Sequence, residues 1–118
     1  MSKKVIQTSD INIKIGLNEE KLPVRIDWDA ADNPAGPQVA KAMLLSLFDE
    51  ASKDTLKIDL WTTEMQVMEM DRFVFQTLRG LADTYFRATS NAELATEMNK
   101  FVHYFGEKTG IIPSEQQG

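Results

Sequence analysis

The stretch "VAKAMLLSLFDEASKDTLKIDLWT", residues 39–62, decides the fold, because its first half reads equally well as helix or strand. Alanine, methionine and leucine favour a helix. Yet Met43, Leu45 and Leu47 alternate with Leu44, Ser46 and Phe48, and a polar turn at residues 49–54 leads into Thr55-Leu56-Lys57-Ile58-Asp59-Leu60-Trp61, which alternates cleanly. Two alternating runs around a polar turn predict an antiparallel hairpin. The first of them, 39–48, is apolar on both faces and is expected to be central.

Upstream, Ile11, Ile13, Ile15 and Leu17 alternate with Asn12, Lys14, Gly16 and Asn18. After a short polar link the period returns with Leu22, Val24, Ile26 and Trp28, giving a second hairpin in which Pro23 marks an edge or a strand start. Residues 29–38 carry two prolines and a glycine and form the longest expected loop.

Downstream the period becomes helical. Val67, Met70, Val74, Leu78, Leu81 and Tyr85 recur every three or four residues, on a helix expected to end near Ala88. Thr63 with Gln66 is a candidate capping box for its start, with Met68 the latest alternative start, and Ser90 with Glu93 is the candidate for the start of a second helix. That second helix carries Leu94, Met98, Phe101 and Phe105 on one stripe. Gly110 suits a left-handed cap, with Ile111 and Ile112 folding back on the last turn before Pro113. The reading is an α+β fold: a four-stranded antiparallel sheet of two hairpins, followed by two helices packed on one face. It is taken as a single domain over residues 1–118, ordered from about 9 to 112, with a loose polar tail at 113–118.

The 118 residues suffice for one core, and the absence of cysteine removes disulfide, thiolate-metal and thiol-nucleophile chemistry. A net charge of -5 with scattered Lys and Arg argues against nucleic acid. The basic start runs into Gln7, Thr8, Ser9 and Asp10 rather than an apolar run, so no export signal is expected. No stretch is long and apolar enough for direct membrane insertion, and the expected location is cytoplasmic.

Candidate chemistry is sparse. His103, one turn before Glu107, has the spacing of an oriented general base, but an exposed salt-bridging histidine is the favoured reading, because no nucleophile motif accompanies it. Asp27, Asp29 and Asp32 lack the glycine and closing glutamate of a calcium loop, and no metal or other cofactor is expected. Gly80, inside the first helix, is a candidate for a close helix crossing. The first helix also carries a second apolar stripe through Met68, Phe75, Ala82 and Phe86, widened by Phe73, more than a helix with one neighbour needs. The second helix is expected to cover part of it through Phe101 and Phe105. Trp61, Met68, Phe73, Phe75 and Phe86 are therefore the expected protein-contact residues, a homodimer being one use of that face.

"AKAMLLSLFDEASKDTLKIDLWTTEM" (40–65), "FVFQTL" (73–78), "LADTYFRAT" (81–89) and "FVHYFGEKTGII" (101–112) together resemble the gliding motility protein GldC family of the Bacteroidota and some other gram-negative bacteria. The resemblance spans about Ile11 to Ile112. It implies a small cytoplasmic accessory protein, not an enzyme and without a cofactor, whose partners are other gliding or envelope machinery proteins. Gln66 and Met68 stand where the family often has proline and acidic residues. The competing expectation is a small-molecule binder or an uncharacterised enzyme using a cavity between sheet and helices, lined by Trp28, Trp61, Tyr85 and His103. A peptide-recognition variant would use the sheet edge at Ile11–Leu17.

Overall fold

The computed structural model describes residues 3–113. Its elements run β1 (Ile11–Leu17), β2 (Pro23–Ala30), β3 (Gln38–Ala40), β4 (Ala42–Phe48), β5 (Thr55–Trp61), α1 (Val67–Thr89) and α2 (Ala92–Lys108). By their internal contacts they group into two compact units, Met1–Met65 with the strands and Gln66–Gly118 with the helices. The polar tail from Ser114 lies outside the described residues.

In the first unit, β1, β2 and β3 form a three-stranded antiparallel sheet in that order, and β4 with β5 forms a two-stranded one. The α+β class and the antiparallel hairpins are those of the sequence. The four expected strands are five, because the run 39–48 bends at Lys41 and changes partners. Before the bend Ala40 pairs with Ile26; after it Ala42 pairs with Trp61. That run is the outer strand of the first sheet and then half of the second, and so not the centre of a single sheet.

The junction is hydrogen-bonded. Thr62 N–H donates to the Lys41 carbonyl at 2.8 Å, and Thr63 N–H donates to the Pro23 carbonyl at 3.1 Å. A two-stranded hairpin is marginal by itself in water, so these links tie β4–β5 to the larger sheet. Thr62 is buried at the join.

Register sorts the side chains. Ile15, Ile26 and Ala40 lie abreast on one face of the larger sheet, with Ile13 beside Trp28 and Ile11 beside Ala30. On the opposite face Lys14 stands beside Asp27. In β4–β5 the pairs Met43–Leu60, Leu45–Ile58 and Leu47–Leu56 make one face wholly aliphatic. The hairpin turn is built on Asp49, whose carboxylate accepts from Ser52 N–H at 2.8 Å while its own N–H donates to the Asp54 carbonyl at 2.8 Å.

The bonds from Ser52, and then that from Ala51, hold the exposed Asp49 carboxyl below the usual aspartate range. A group with a depressed folded pKa stabilises above its unfolded value, about 3.9 for Asp, and loses that contribution as pH falls through the lower one. Amide exchange at Ser52 is therefore expected to stay slow at neutral pH and to accelerate relative to the β4–β5 ladder only below about pH 4. Equal acceleration in the turn and the ladder would contradict this account.

In the second unit α1 starts where Gln66 N–H donates to the Glu69 carboxylate at 3.0 Å. The box is thus Gln66 with Glu69, one turn later than the expected Thr63 with Gln66. Ser90 does not open α2: it closes α1 in a left-handed conformation, its N–H donating to the Phe86 carbonyl at 2.8 Å. Asn91 is the cap of α2, accepting from Leu94 N–H at 3.0 Å. At the far end Gly110 adopts φ 81°, and Ile112 N–H returns to the Gly106 carbonyl at 2.9 Å. The expected fold-back of Ile112 is therefore present.

The helical hairpin packs through Phe75 and Ala82 of α1 and Ala95, Val102 and Gly106 of α2, all buried. Phe101 is exposed and Phe105 half-buried, and the approach of α2 to the second α1 stripe at Phe75 is made by Gly106. A methyl group on Gly106 would lie 2.7 Å from the Phe75 ring and 2.6 Å from Ile112, whereas one on Gly80 would meet nothing. The close approach belongs to Gly106 and not to Gly80.

Substitution separates the two glycines. Gly106→Val is expected to cost about 1–3 kcal/mol through overpacking, whereas Gly80→Ala should gain about 1 kcal/mol by helix propensity. Thermal unfolding followed at 222 nm measures both, and equal effects of the two substitutions would sink the assignment.

Candidate functional site

Among the described residues, three surface grooves are each built inside one unit. The first lies at the β2–β5 junction, about 310 Å³, with Leu22, Pro23, Trp61 and Thr63 around it and Asp59 at its side. Trp61 ends β5 and is 57% exposed. Asp59, two residues earlier and so on the same face of the strand, holds Lys57 at 2.9 Å. The groove thus presents an indole, a proline ring, a carboxylate and threonine groups, a mainly apolar surface with a few polar handles.

The second groove, about 330 Å³, lies on the larger sheet between Asn12, Lys14, Asp27, Trp28 and Pro37. Arg25 Nε donates to Asp27 at 2.8 Å, and this hydrogen bond holds the Asp27 carboxyl below, and the Arg25 guanidinium above, their ordinary values. Both groups are solvated, so the pair orients side chains more than it stabilises the fold. Trp28 and Trp61, expected to line one cavity, stand at different grooves.

The third groove runs along the helical hairpin, about 420 Å³, with Ala82, Ala92 and Ala95 as small residues and Arg79, Asp83 and Phe86 along α1. Asp83 accepts from Arg87 Nε at 2.9 Å. The Arg79 guanidinium sits 5.3 Å from the centre of the Phe75 ring.

The expected contact residues do not all stand on one surface. Met68 is 79% exposed and Phe86 45% exposed, both on α1, and Phe73 is half-buried. Phe75 is 5% exposed and packs inside the hairpin against Gly106, so it is not a surface contact. Tyr85 is half-buried, and His103 is exposed with Nε2 3.4 Å from Glu107. Among the described residues no group of three His, Cys, Asp or Glu side chains could hold a metal ion. Asp27 is engaged by Arg25, and Asp32 accepts from Ser9 at 3.1 Å. The alanine-floored groove beside Phe86 escaped the sequence reading, although Ala92 and Ala95 at helical spacing in α2 are its signal.

Two antiparallel sheets followed by a helical hairpin define a small α+β protein with large apolar side chains exposed beside shallow grooves. A family model described as gliding motility-associated protein GldC-like matches residues 23–111, and the chain belongs to that family. The match begins at the first residue of β2 and ends beyond α2, so it takes in four of the five strands and both helices. No curated protein and no solved structure matches the chain. No helix among the described residues is long and apolar enough to cross a membrane.

Proposed function

We propose that this protein is a non-catalytic, cytoplasmic accessory of the gliding machinery that acts through protein contacts. Family membership supplies the association with gliding motility. The observation that supports contact as the mode of action is the exposure of Trp61, Met68 and Phe86, large apolar side chains held on regular elements. Exposed aromatic and methionine side chains on a rigid frame are what interface cores are made of. The partners are other proteins of the motility or envelope machinery, and a second copy of the chain is one of the surfaces it meets.

The test is gliding itself. In a strain whose gliding depends on this chain, Trp61→Asp and Met68→Glu are expected to abolish spreading while the purified variants keep the wild-type circular dichroism. His103→Ala is expected to glide normally. Loss of gliding in His103→Ala, with both contact variants active, would overturn the reading in favour of an enzyme.

The groove at Trp61 supports a second reading, a small apolar ligand stacked on the indole. It predicts saturable quenching of tryptophan fluorescence by that ligand, abolished by Trp61→Ala.

A further inference from the structure

The strand β5 is paired on one side alone: β4 lies along that side, and no strand among the described residues lies along the other. An open edge offers a row of backbone donors and acceptors to any extended chain, and natural edges limit this with charge or proline. Here proline is absent, and the charges are one lysine and one aspartate, Lys57 and Asp59. The groove at the β2–β5 junction touches residues 59–63 without a gap. A single face of a strand would supply only alternate residues, so the groove follows the edge, which stays open where Leu22 and Pro23 come near it.

The edge is complementary to itself. Leu56-Lys57-Ile58-Asp59-Leu60 is the same in both directions except that the two charges exchange sign. When a second β5 is laid antiparallel with Ile58 opposite Ile58, Leu56 of each meets Leu60 of the other and Lys57 of each meets Asp59 of the other. Residues directly opposite stand about 4.5–5.5 Å apart between Cβ atoms, within reach of both kinds of contact. Neighbouring registers are worse. A shift of one residue brings the aliphatic face of one copy into line with the charged face of the other. A shift of two sets Lys57 against Lys57 or Asp59 against Asp59, and like charges directly opposite destabilise a pair. Lys57 already holds its own Asp59 at 2.9 Å with both side chains solvated, so the cross-strand charges fix register more than they supply affinity. Leu56 is 60% and Ile58 52% exposed, which leaves apolar surface for the pairing to cover.

We infer that the free edge of β5 is a homodimer interface, in which two β4–β5 hairpins join through antiparallel β5 strands centred on Ile58 into one four-stranded sheet. The inference rests on the reading of the chain as an interaction protein and names a second copy as the occupant of this edge. A lone two-stranded hairpin is marginal in water, so the pairing also strengthens β4–β5. Each copy contributes a strand of 7 residues, fewer than the roughly 20–30 a side of a standard interface, so the dimer dissociates on dilution.

Sedimentation equilibrium of the full chain over a dilution series tests it. The wild type is expected to pass from the mass of two chains to that of one as it is diluted. Lys57→Glu and Asp59→Lys should each weaken association about tenfold or more, because each sets like charges opposite one another. Ile58→Lys, which places two ammonium groups on the two-fold axis, should do the same. An equimolar mixture of Lys57→Glu with Asp59→Lys should regain the mass of two chains, since every opposed pair across that mixed dimer is again of opposite sign. Repair of the bridge within one chain cannot account for that recovery, because both variants lack it. Circular dichroism identifies any variant that has lost its fold. Should Ile58→Lys be one of them, the two charge variants, at exposed positions, decide the matter. A wild type with the mass of one chain at every concentration, unchanged dimerisation in both charge variants, or no recovery in the mixture overturns the inference. A monomeric wild type whose Met68→Glu variant still fails to glide would remove the dimer and leave the accessory role standing.

Discussion

Replacing Phe75 with alanine is expected to destabilise the helical hairpin by about 3–5 kcal/mol. The ring is 5% exposed, and a methyl group on Gly106 would fall 2.7 Å from its edge, so α2 has been cut back to glycine at the place where the ring needs room. Alanine would leave a cavity that the facing glycine cannot fill. Helix-on-helix packing here relies on few large groups, since the other buried positions are Ala82, Ala95, Val102 and Gly106 itself. A loss of this size is a large share of the 5–15 kcal/mol typical of a whole domain. Urea unfolding followed at 222 nm should show a lower midpoint for Phe75→Ala, with Phe73→Ala, at a half-buried site, moving it much less. Equal shifts for the two would mean that the ring is not the centre of the hairpin.

That prediction also shows where sequence reasoning stops. Periodicity placed Phe75 on one stripe with Met68, Ala82 and Phe86, and the stripe is real. Which part of it meets a neighbour depends on the register between α1 and α2, a tertiary quantity that a single helix does not encode. The structure spends Phe75 and Ala82 on the hairpin and leaves Met68 and Phe86 exposed. The partner signal lay in α2, where Ala95, Val102 and Gly106 recur at seven and four residues, a stripe of small side chains suited to close approach. The larger aromatics of the same helix, Phe101 and Phe105, are respectively exposed and half-buried and lie outside that buried stripe.

The strands were legible for a different reason. A period of two survives any tertiary context that keeps one face drier than the other, so β1, β2, β4 and β5 follow from alternation alone. The bend at Lys41 does not. Neither glycine nor proline marks it, and one lysine in the series Val39, Lys41, Met43, Leu45 and Leu47 does not by itself signal a change of sheet. Only the change of partner, Ile26 for Ala40 and then Trp61 for Ala42, reveals it. Of the site, the exposed Trp61, Met68 and Phe86 could be named from residue type, whereas the grooves beside them depend on neighbours brought in by the chain's return, such as Pro23 beside Thr63.

Ile26→Ala should be the corresponding blow to the sheet unit, a loss of about 2–5 kcal/mol. Ile26 is 1% exposed, the most buried large side chain among the described residues. It sits at the middle of β2, directly between Ile15 of β1 and Ala40 of β3, so its removal opens a gap at the point where all three strands meet abreast. Ala40 is too small to lean into that space, which puts the expected cost toward the upper end for a buried aliphatic. Hydrogen exchange locates the damage: amides of β1, β2 and β3 should lose protection, and those of α1 and α2 should lose less if the hairpin's stability is set by its own Phe75–Gly106 packing. Ile11→Ala, at an exposed position of the same sheet, is the control and should shift stability by no more than about 0.5 kcal/mol. Matching losses at Ile11 and Ile26 would show that the burial of Ile26 is not what holds the three strands together.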